Sequence, residues 1–294
     1  MKHATAMNNM KNVLIIIVLM LATVAGAKEP KKITVLHTSD THSCILPLKS
    51  SLGDKRIAGR GGFLRRISML QQERQQNPDL LLFDCGDFSQ GSSYYTMFKG
   101  DVEVGLMNQM HYDAVTIGNH EFDFGLDNMA RLFKMANFPV VCSNYDFGDT
   151  ELKDIVKPYL VLKRKGVKIG VFALCPEMKG LVSPKNYEPL RFLDPIEVTE
   201  KMVPFLRNEK KCDVVICLSH LGWEISDYTD NQVIQNTSGI DLVLGGHTHT
   251  YMEKLSYVKD KSGHLVPVDH EGLFVKPGVL SVIISGTVIR FPVD

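Results

Sequence analysis

Hydrophobic and polar positions along this chain fall into blocks whose period keeps changing. Short apolar or β-branched runs occur at Ile33-Thr34-Val35-Leu36, Leu80-Leu81-Leu82-Phe83, Ala114-Val115-Thr116-Ile117, Asp213 to Leu218 and Asp241 to Leu244. Runs of this length, bounded by polar turn residues, read as strands buried on both faces. Between them lie helical patterns: Phe63 to Gln76, stopped by Asn77-Pro78-Asp79, then about Val102 to Met110, Leu126 to Asn137, Ile196 to Asn208 and Asp230 to Thr237. A further apolar run, Pro139-Val140-Val141-Cys142, follows the third helix. Strand, helix and strand joined by short loops predict a parallel sheet with crossover helices. The middle differs, because Tyr159 to Lys163 and Val167 to Leu174 flank Lys165-Gly166 as an antiparallel hairpin. After Gly245 the pattern shortens to β segments near Val266–Val268 and Val279–Arg290, with Ser262-Gly263 and Pro277-Gly278 as turns. No repeat or linker interrupts residues 28–294, so they read as one domain.

The start of the chain stands apart. Lys2 and Lys11 precede an apolar run from Val13 to Val24, and the small residues Ala25-Gly26-Ala27 come before polar Lys28-Glu29-Pro30. That order predicts a secretory signal peptide over residues 1–27, cut after Ala27, with Met7 or Met10 as alternative starts. The run is short for a bilayer span of about 20 residues, so no stable membrane anchor is expected after processing. The expected location is periplasmic or extracellular. No cysteine follows the small residues as a lipid attachment point.

Composition changes the picture in two ways. Lys and Arg together number 33, as do Asp and Glu, and the leader removes two lysines and no acid. A near-neutral chain without a basic tract argues against a nucleic-acid polymer as partner. Of six cysteines, Cys85, Cys142, Cys175 and Cys217 end apolar strand-like runs, where a thiol behaves as a small buried hydrophobe. A disulfide framework is not expected, although an exported protein permits one.

The chemistry collects at five strand ends. They are Asp40-Thr41-His42, Gly86-Asp87, Gly118-Asn119-His120-Glu121-Phe122-Asp123, Ser219-His220 and Gly245-Gly246-His247-Thr248-His249. Singly each has a plainer role: Asp40 as a helix cap, Asp87 as a turn starter, His220 as a core histidine. Together they place Asp, Asn and His donors, with no thiolate, where open α/β sheets gather their chemistry. Such a set suits Zn, Mn or Fe better than Mg or Ca, and seven donors exceed one tetrahedral ion. Asp40 with His42, and His247 with His249, are two apart and would project the same way from extended backbone. Gly245 and Gly246 would let the chain come close to the ions. His120 has an acid three residues on, Asp123, to fix its tautomer. Glu121 is read as structural.

In this order, Asp-x-His, Gly-Asp, Gly-Asn-His-Glu, a lone His after a strand and Gly-His-x-His, the chain resembles the calcineurin-like metallophosphoesterases. Leu36 to His42, Gly118 to Gly125 and Leu218 to Gly222 are similar to the secreted 5′-nucleotidase branch, and the resemblance covers about residues 32–250. It implies a four-layer α/β/β/α sandwich of two mixed β-sheets flanked by helices. It also implies two divalent metal ions, one held by Asp40, His42, Asp87 and His249, the other by Asp87, Asn119, His220 and His247. His120, oriented by Asp123, would contact the phosphoryl oxygens and assist the leaving group. The implied activity is hydrolysis of nucleoside monophosphates by a hydroxide held between the cations. The alternatives are a phosphodiesterase or nucleotide-sugar pyrophosphatase on the same core, or a non-catalytic module. Ser39, Thr41 and Ser43 depart from the nucleotidases' usual Asn, larger apolar residue and Gly. Those relatives carry their base-stacking aromatics and phosphate-binding arginines in a C-terminal domain, so a separately encoded C-terminal partner is an expectation. The stretch Gly272 to Asp294 does not match the family's closing strands.

Overall fold

Alternate residues of a strand face opposite ways, and here both faces are covered. The computed structural model of the chain describes residues 31–55, 57–224, 227–270 and the backbone of 278–284. Its strands are β1 (Lys31–Thr38), β2 (Leu81–Asp84), β3 (Ala114–Val115), β4 (Tyr145–Asp146), β5 (Leu160–Arg164) and β6 (Val167–Leu174). Then come β7 (Arg191–Phe192), β8 (Val214–Ser219), β9 (Leu242–Gly245), β10 (Ser256–Lys259), β11 (Leu265–His270) and β12 (Gly278–Ile284). One sheet has the order β12-β1-β2-β3, with β12 antiparallel to β1 and the rest parallel. The other runs β10-β11-β9-β8-β6-β5, parallel in its centre and antiparallel at both edges. β4 and β7 form a small separate pair.

The period of two decides which layer each side chain joins. Ile33, Val35, Leu81 and Phe83 of the first sheet meet Ile169, Val171, Ile216, Leu218, Leu242 and Leu244 of the second. Their neighbours Leu36, Leu82 and Val115 turn the other way, under the helices α1 (Phe63–Gln76), α2 (Ser93–Phe98), α3 (Asp101–Asn108) and α4 (Gly125–Met135). On the far side Phe172, Val215, Cys217 and Val243 pack against Val203, Val233 and Ile234 of the helices Pro195–Pro204 and Asp230–Asn236. The layers are therefore helix, sheet, sheet, helix, the expected sandwich.

Several local expectations need correction. The run Pro139–Cys142 is not a strand: Val140 and Val141 make single bridges, to Val115 and Lys157. Pro139 O accepts from Val115 N–H at 3.0 Å and Val141 N–H donates to Val115 O at 2.9 Å, so the run lies along the edge of β3 for a single bridge, and Pro139 has no N–H to lengthen it. The helix expected to Asn208 ends at Pro204 and continues as a π-helical turn, Phe205–Glu209. Proline inside a helix removes one i to i−4 bond, and a π-turn accommodates that loss. Helix α2 was not expected, and Ser92 caps it by accepting from Tyr94 N–H at 3.1 Å. The hairpin stands as read, with Lys165 and Gly166 both at positive φ, as a tight two-residue turn requires. All six cysteines are free. No helix among the described residues is long and apolar enough to cross a membrane. Residues 1–27, Pro277 and 285–290, on which other expectations fell, lie outside the described residues.

One buried acid makes stability depend on pH. Asp84 ends β2 with no exposure, accepting from Thr38 Oγ1 at 2.5 Å and Gly86 N–H at 3.1 Å. Burial raises its carboxyl to about 7, with those two donors pulling the other way. An unfolded Asp titrates near ~3.9, so the folded chain binds this proton more tightly. Its contribution is therefore favourable below about pH 4 and is lost as pH climbs to about 7, on the order of a few kcal/mol. Asp84→Asn should flatten that fall in the metal-free protein, read as denaturation midpoints across the interval. An unchanged slope would remove Asp84 as its source.

Candidate metal centre

Each loop that carries a candidate donor leaves the carboxyl end of a parallel strand. Asp40 and His42 follow β1, Asp87 follows β2, Asn119 and His120 follow β3, His220 follows β8, and His247 and His249 follow β9. Parallel pairing puts these ends on one edge of each sheet. The face-to-face packing then brings the two edges together, and donors from all five loops converge.

Three overlapping groups result, each with its ligand atoms within 4.8 Å of one another: Asp40, His42 and His249; His42, Asp87 and His120; Asp87, His220 and His247. Asp87 belongs to two of them. Its Oδ2 lies 3.0 Å from His220 Nε2 and 3.9 Å from His42 Nε2. Asp40 Oδ1 lies 3.6 Å from His249 Nε2 and 3.9 Å from His220 Nε2. Six of the seven expected donors, Asp40, His42, Asp87, His220, His247 and His249, thus fall within these groups, and the seventh, Asn119, is buried on the same loop as His120. His120 Nδ1 is 3.2 Å from both oxygens of Asp123, because the 3₁₀ turn His120–Phe122 brings residues three apart onto one face.

The backbone under these donors is not extended. Asp40, His42, His247 and His249 have φ of 47°, 40°, 76° and 51°, which is left-handed. Asp and His tolerate that region better than branched residues do. The first turn is held by Asp40 N–H donating to Gly86 O at 2.9 Å and His42 N–H donating to Asp87 O at 3.0 Å. The last is held by His247 N–H donating to both Asp40 oxygens, at 2.9 and 3.1 Å. Glycine is required at two close approaches. A Cβ on Gly118 would lie 2.2 Å from Asp87 Oδ1, and one on Gly246 2.7 Å from Asp40 Oδ2. Gly245, expected to admit the ions, instead faces His270, whose Nε2 would meet its Cβ at 2.1 Å. His270 is itself buried and paired with Asp230 at 2.6 Å.

Glu121 carries more than its motif suggested. Its carboxylate accepts from Gly118 N–H at 2.6 Å, Asp87 N–H at 2.9 Å and Ser89 N–H at 3.1 Å. It therefore ties the second and third loops together at their roots. Burial and the nearby Asp87 raise its carboxyl to about 7.

The donors fit divalent cations on the evidence of their own hydrogen bonds. His220 Nδ1 donates to Cys85 O at 2.6 Å, which directs Nε2 into the cluster. There Nε2 has no hydrogen-bond partner among the described residues, its 3.0 Å approach to Asp87 lacking the alignment of one. Asn119 Oδ1 is likewise buried and unpartnered. His42 Nε2 and His249 Nε2 lie 2.9 Å apart, close enough for one ring's N–H to donate to the other's lone pair, and for both nitrogens to face one ion once that proton is lost. The orphaned carboxamide oxygen of Asn119, and an Asp87–His220 pair whose shared proton a cation would replace, suit such a site. Titration separates the imidazoles. Burial lowers His42, and burial with His220 lowers His247 to about 4, so both are neutral as ligands must be. His120 moves the other way, raised by its bond to Asp123 against the cost of burial. Burial opposes the charges on Asp87 and His220, but their mutual attraction prevails, holding the acid well below and the imidazole well above their ordinary ranges.

Two facing sheets with imidazoles and carboxylates gathered along one edge define an α/β sandwich with a candidate metal centre. Residues 33–251 match the calcineurin-like phosphoesterase family, and the chain belongs to it. Among relatives, it is 31% identical over 294 residues to the snake venom 5′-nucleotidase of Gloydius brevicauda, covering 92% of this chain and 48% of that one. It is 30% identical over 266 residues to the trifunctional nucleotide phosphoesterase protein YfkN of Bacillus subtilis, covering 80% of this chain and 17% of the relative. Among solved structures, a 5′-nucleotidase precursor from Thermus thermophilus superposes with a TM-score of 0.75 at 28% identity, covering 86% of this chain and 51% of that one. The chain spans about half or less of the length of these curated relatives.

Proposed function

We propose that the chain is an exported, dinuclear-metal phosphoester hydrolase of the 5′-nucleotidase type, with residues 28–294 as its catalytic domain. The observation that carries this reading is the chain of three overlapping donor groups, Asp87 shared by two of them, with His120 meeting His42 and Asp87 in the middle one. In this reading Asp40, His42, Asp87 and His249 hold one cation, and Asp87, Asn119, His220 and His247 hold the other. Zn, Mn or Fe suits such mixed donors. Bound there, the two cations supply a water acidic enough to attack phosphorus near neutral pH and positive charge for the phosphoryl oxygens.

The chain's own residues do the rest. Asp123 accepts from His120 Nδ1, which leaves Nε2 to hold a proton at the leaving oxygen. Tyr95 OH donates to His120 O at 3.1 Å and steadies that loop. The Glu121 clamp keeps Asp87 in register with the loop that carries Asn119 and His120. Beside His247 opens a groove of about 300 Å³, lined by Glu177, Lys179, Leu181, Leu221 and Tyr228 among others, with room for a leaving group.

Nucleoside monophosphates or related nucleotides are the proposed substrates, supported by the relatives' names. A second reading, in which this chain also cleaves phosphodiesters, is compatible with a Bacillus subtilis relative whose name, trifunctional nucleotide phosphoesterase, covers more than one reaction. Export is supported by the basic, apolar, small-residue order of residues 1–27. A separate nucleoside-binding domain as partner is supported by relatives about twice as long as the part they share with this chain. The test is turnover by metal-supplemented protein of AMP, p-nitrophenyl phosphate and bis-(p-nitrophenyl) phosphate. Saturable AMP hydrolysis is the expected result and would make the partner unnecessary. Preference for the bis-ester would favour the second reading. Inertness towards all three with cations bound would overturn the proposal.

A further inference from the structure

Behind the donor cluster lies a carboxylate that takes no part in it. Glu103, in the first turn of α3, is fully buried. A carboxylate removed from water is costly unless its neighbours compensate. Its Oε1 accepts from the Ser43 hydroxyl, and Ser43 Oγ also lies 2.6 Å from Ser92 Oγ, the cap of α2. Its Oε2 has no hydrogen-bond partner among the described residues. Side chains from two separate elements thus converge on a single hydroxyl, that of the residue following His42.

That hydroxyl sits where the backbone needs holding. His42 and Ser43 have φ of 40° and 51°, two left-handed residues in succession, each costing about 1–2 kcal/mol outside glycine. The turn lies on the loop 87–92. Ser43 N–H donates to Phe88 O at 2.9 Å, His42 Nδ1 is 3.2 Å from Ser89 O, and a Cβ on Gly91 would meet His42 O at 2.6 Å. Glycine at position 43 would take this conformation without strain. Serine there, with Glu103 opposite, fixes the turn by a side-chain anchor instead.

We propose that Glu103 is a positioning residue for His42: acting through the Ser43 hydroxyl, it holds the left-handed turn that aims this imidazole at Asp40 and His249. The inference rests on the reading of that group as a cation site. Its effect falls first on the site that holds His42, because His220 and His247 stand on the loops after β8 and β9.

Titration of the purified metal-free protein with Zn²⁺, followed by calorimetry, tests it. Wild type should take up two equivalents. Glu103→Leu, similar in size but without an acceptor, should weaken one of them by about 10–100-fold and spare the other. Glu103→Gln, which keeps an acceptor oxygen for Ser43, should restore both to within a few-fold. Combining Ser43→Gly with Glu103→Leu should cost no more than the larger single change, since both remove one contact. Should Glu103→Leu not fold, Ser43→Ala removes the same bond from its other end and should give the same selective loss. Wild-type affinity at both sites in the Leu and Ala variants overturns the inference. So does equal weakening of both sites with a lowered melting temperature, the mark of a merely structural role. A wild-type protein that binds no Zn²⁺ overturns the metal-centre reading and this inference with it, and is recognised before any variant is made.

Discussion

Asp87→Asn is expected to lower phosphoester turnover by about 10³-fold or more and to remove one of two equivalents of bound cation. Asp87 is the acid shared between two donor groups, within reach of His42, His220 and His247. Asparagine has nearly the same shape. It keeps an oxygen for the His120 N–H, which donates to Asp87 Oδ1 at 2.9 Å, and leaves the Glu121 bond to the residue 87 N–H untouched. What it removes is a negative charge from a buried site meant to hold four positive ones. In the metal-free protein the loss is milder, because His220, deprived of its partner, discharges instead of remaining as an unpaired buried cation. A large fall in turnover with a small shift in metal-free melting temperature is therefore the signature. Wild-type turnover with two cations retained would show that Asp87 does not join the sites.

Much of this was legible in the sequence, for identifiable reasons. Strands covered on both faces need unbroken apolar runs, so β1, β2, β6, β8 and β9 stand out, and each ends where a polar loop begins. Because parallel strands share an edge, motifs at the ends of β1, β2, β3, β8 and β9 had to meet. Periodicity carries no φ, however, so the left-handed turns at Asp40, His42, His247 and His249 were misread as extended. Nor does it carry long-range polar pairing. Nothing local shows that Glu121 holds Asp87, 34 residues away, or that Glu103 holds Ser43, 60 away. The buried pairs of His37 with Asp269 at 3.1 Å and His270 with Asp230 at 2.6 Å escape for the same reason. In each, a polar residue lies in or beside an apolar pattern, and only the partner explains it. The motif Gly118 to Asp123 did signal Glu121, yet a carboxylate beside metal donors and one that binds backbone amides look alike in sequence.

His120→Ala should lower kcat by about 10²–10⁴-fold while changing KM much less. The imidazole is half-exposed at the rim of the cluster, its ring centroid 5.3 Å from that of His42, and its Nδ1 is committed to Asp123. His120 shares a group with His42 and Asp87 but belongs to neither Asp40–His42–His249 nor Asp87–His220–His247, the groups read as holding the ions, so both cations should stay, which separates this variant from Asp87→Asn. The size of the loss should depend on the leaving group. A ribose alkoxide departs poorly without a proton, whereas p-nitrophenolate departs unaided, so the defect on AMP should exceed that on p-nitrophenyl phosphate by at least about tenfold. Asp123→Asn should show the same leaving-group dependence in weaker form, since it disturbs the tautomer and raised pKa of His120 without deleting the ring. Equal losses on both esters would mean that His120 only stabilises charge on the phosphoryl oxygens, a role for which proton delivery is irrelevant.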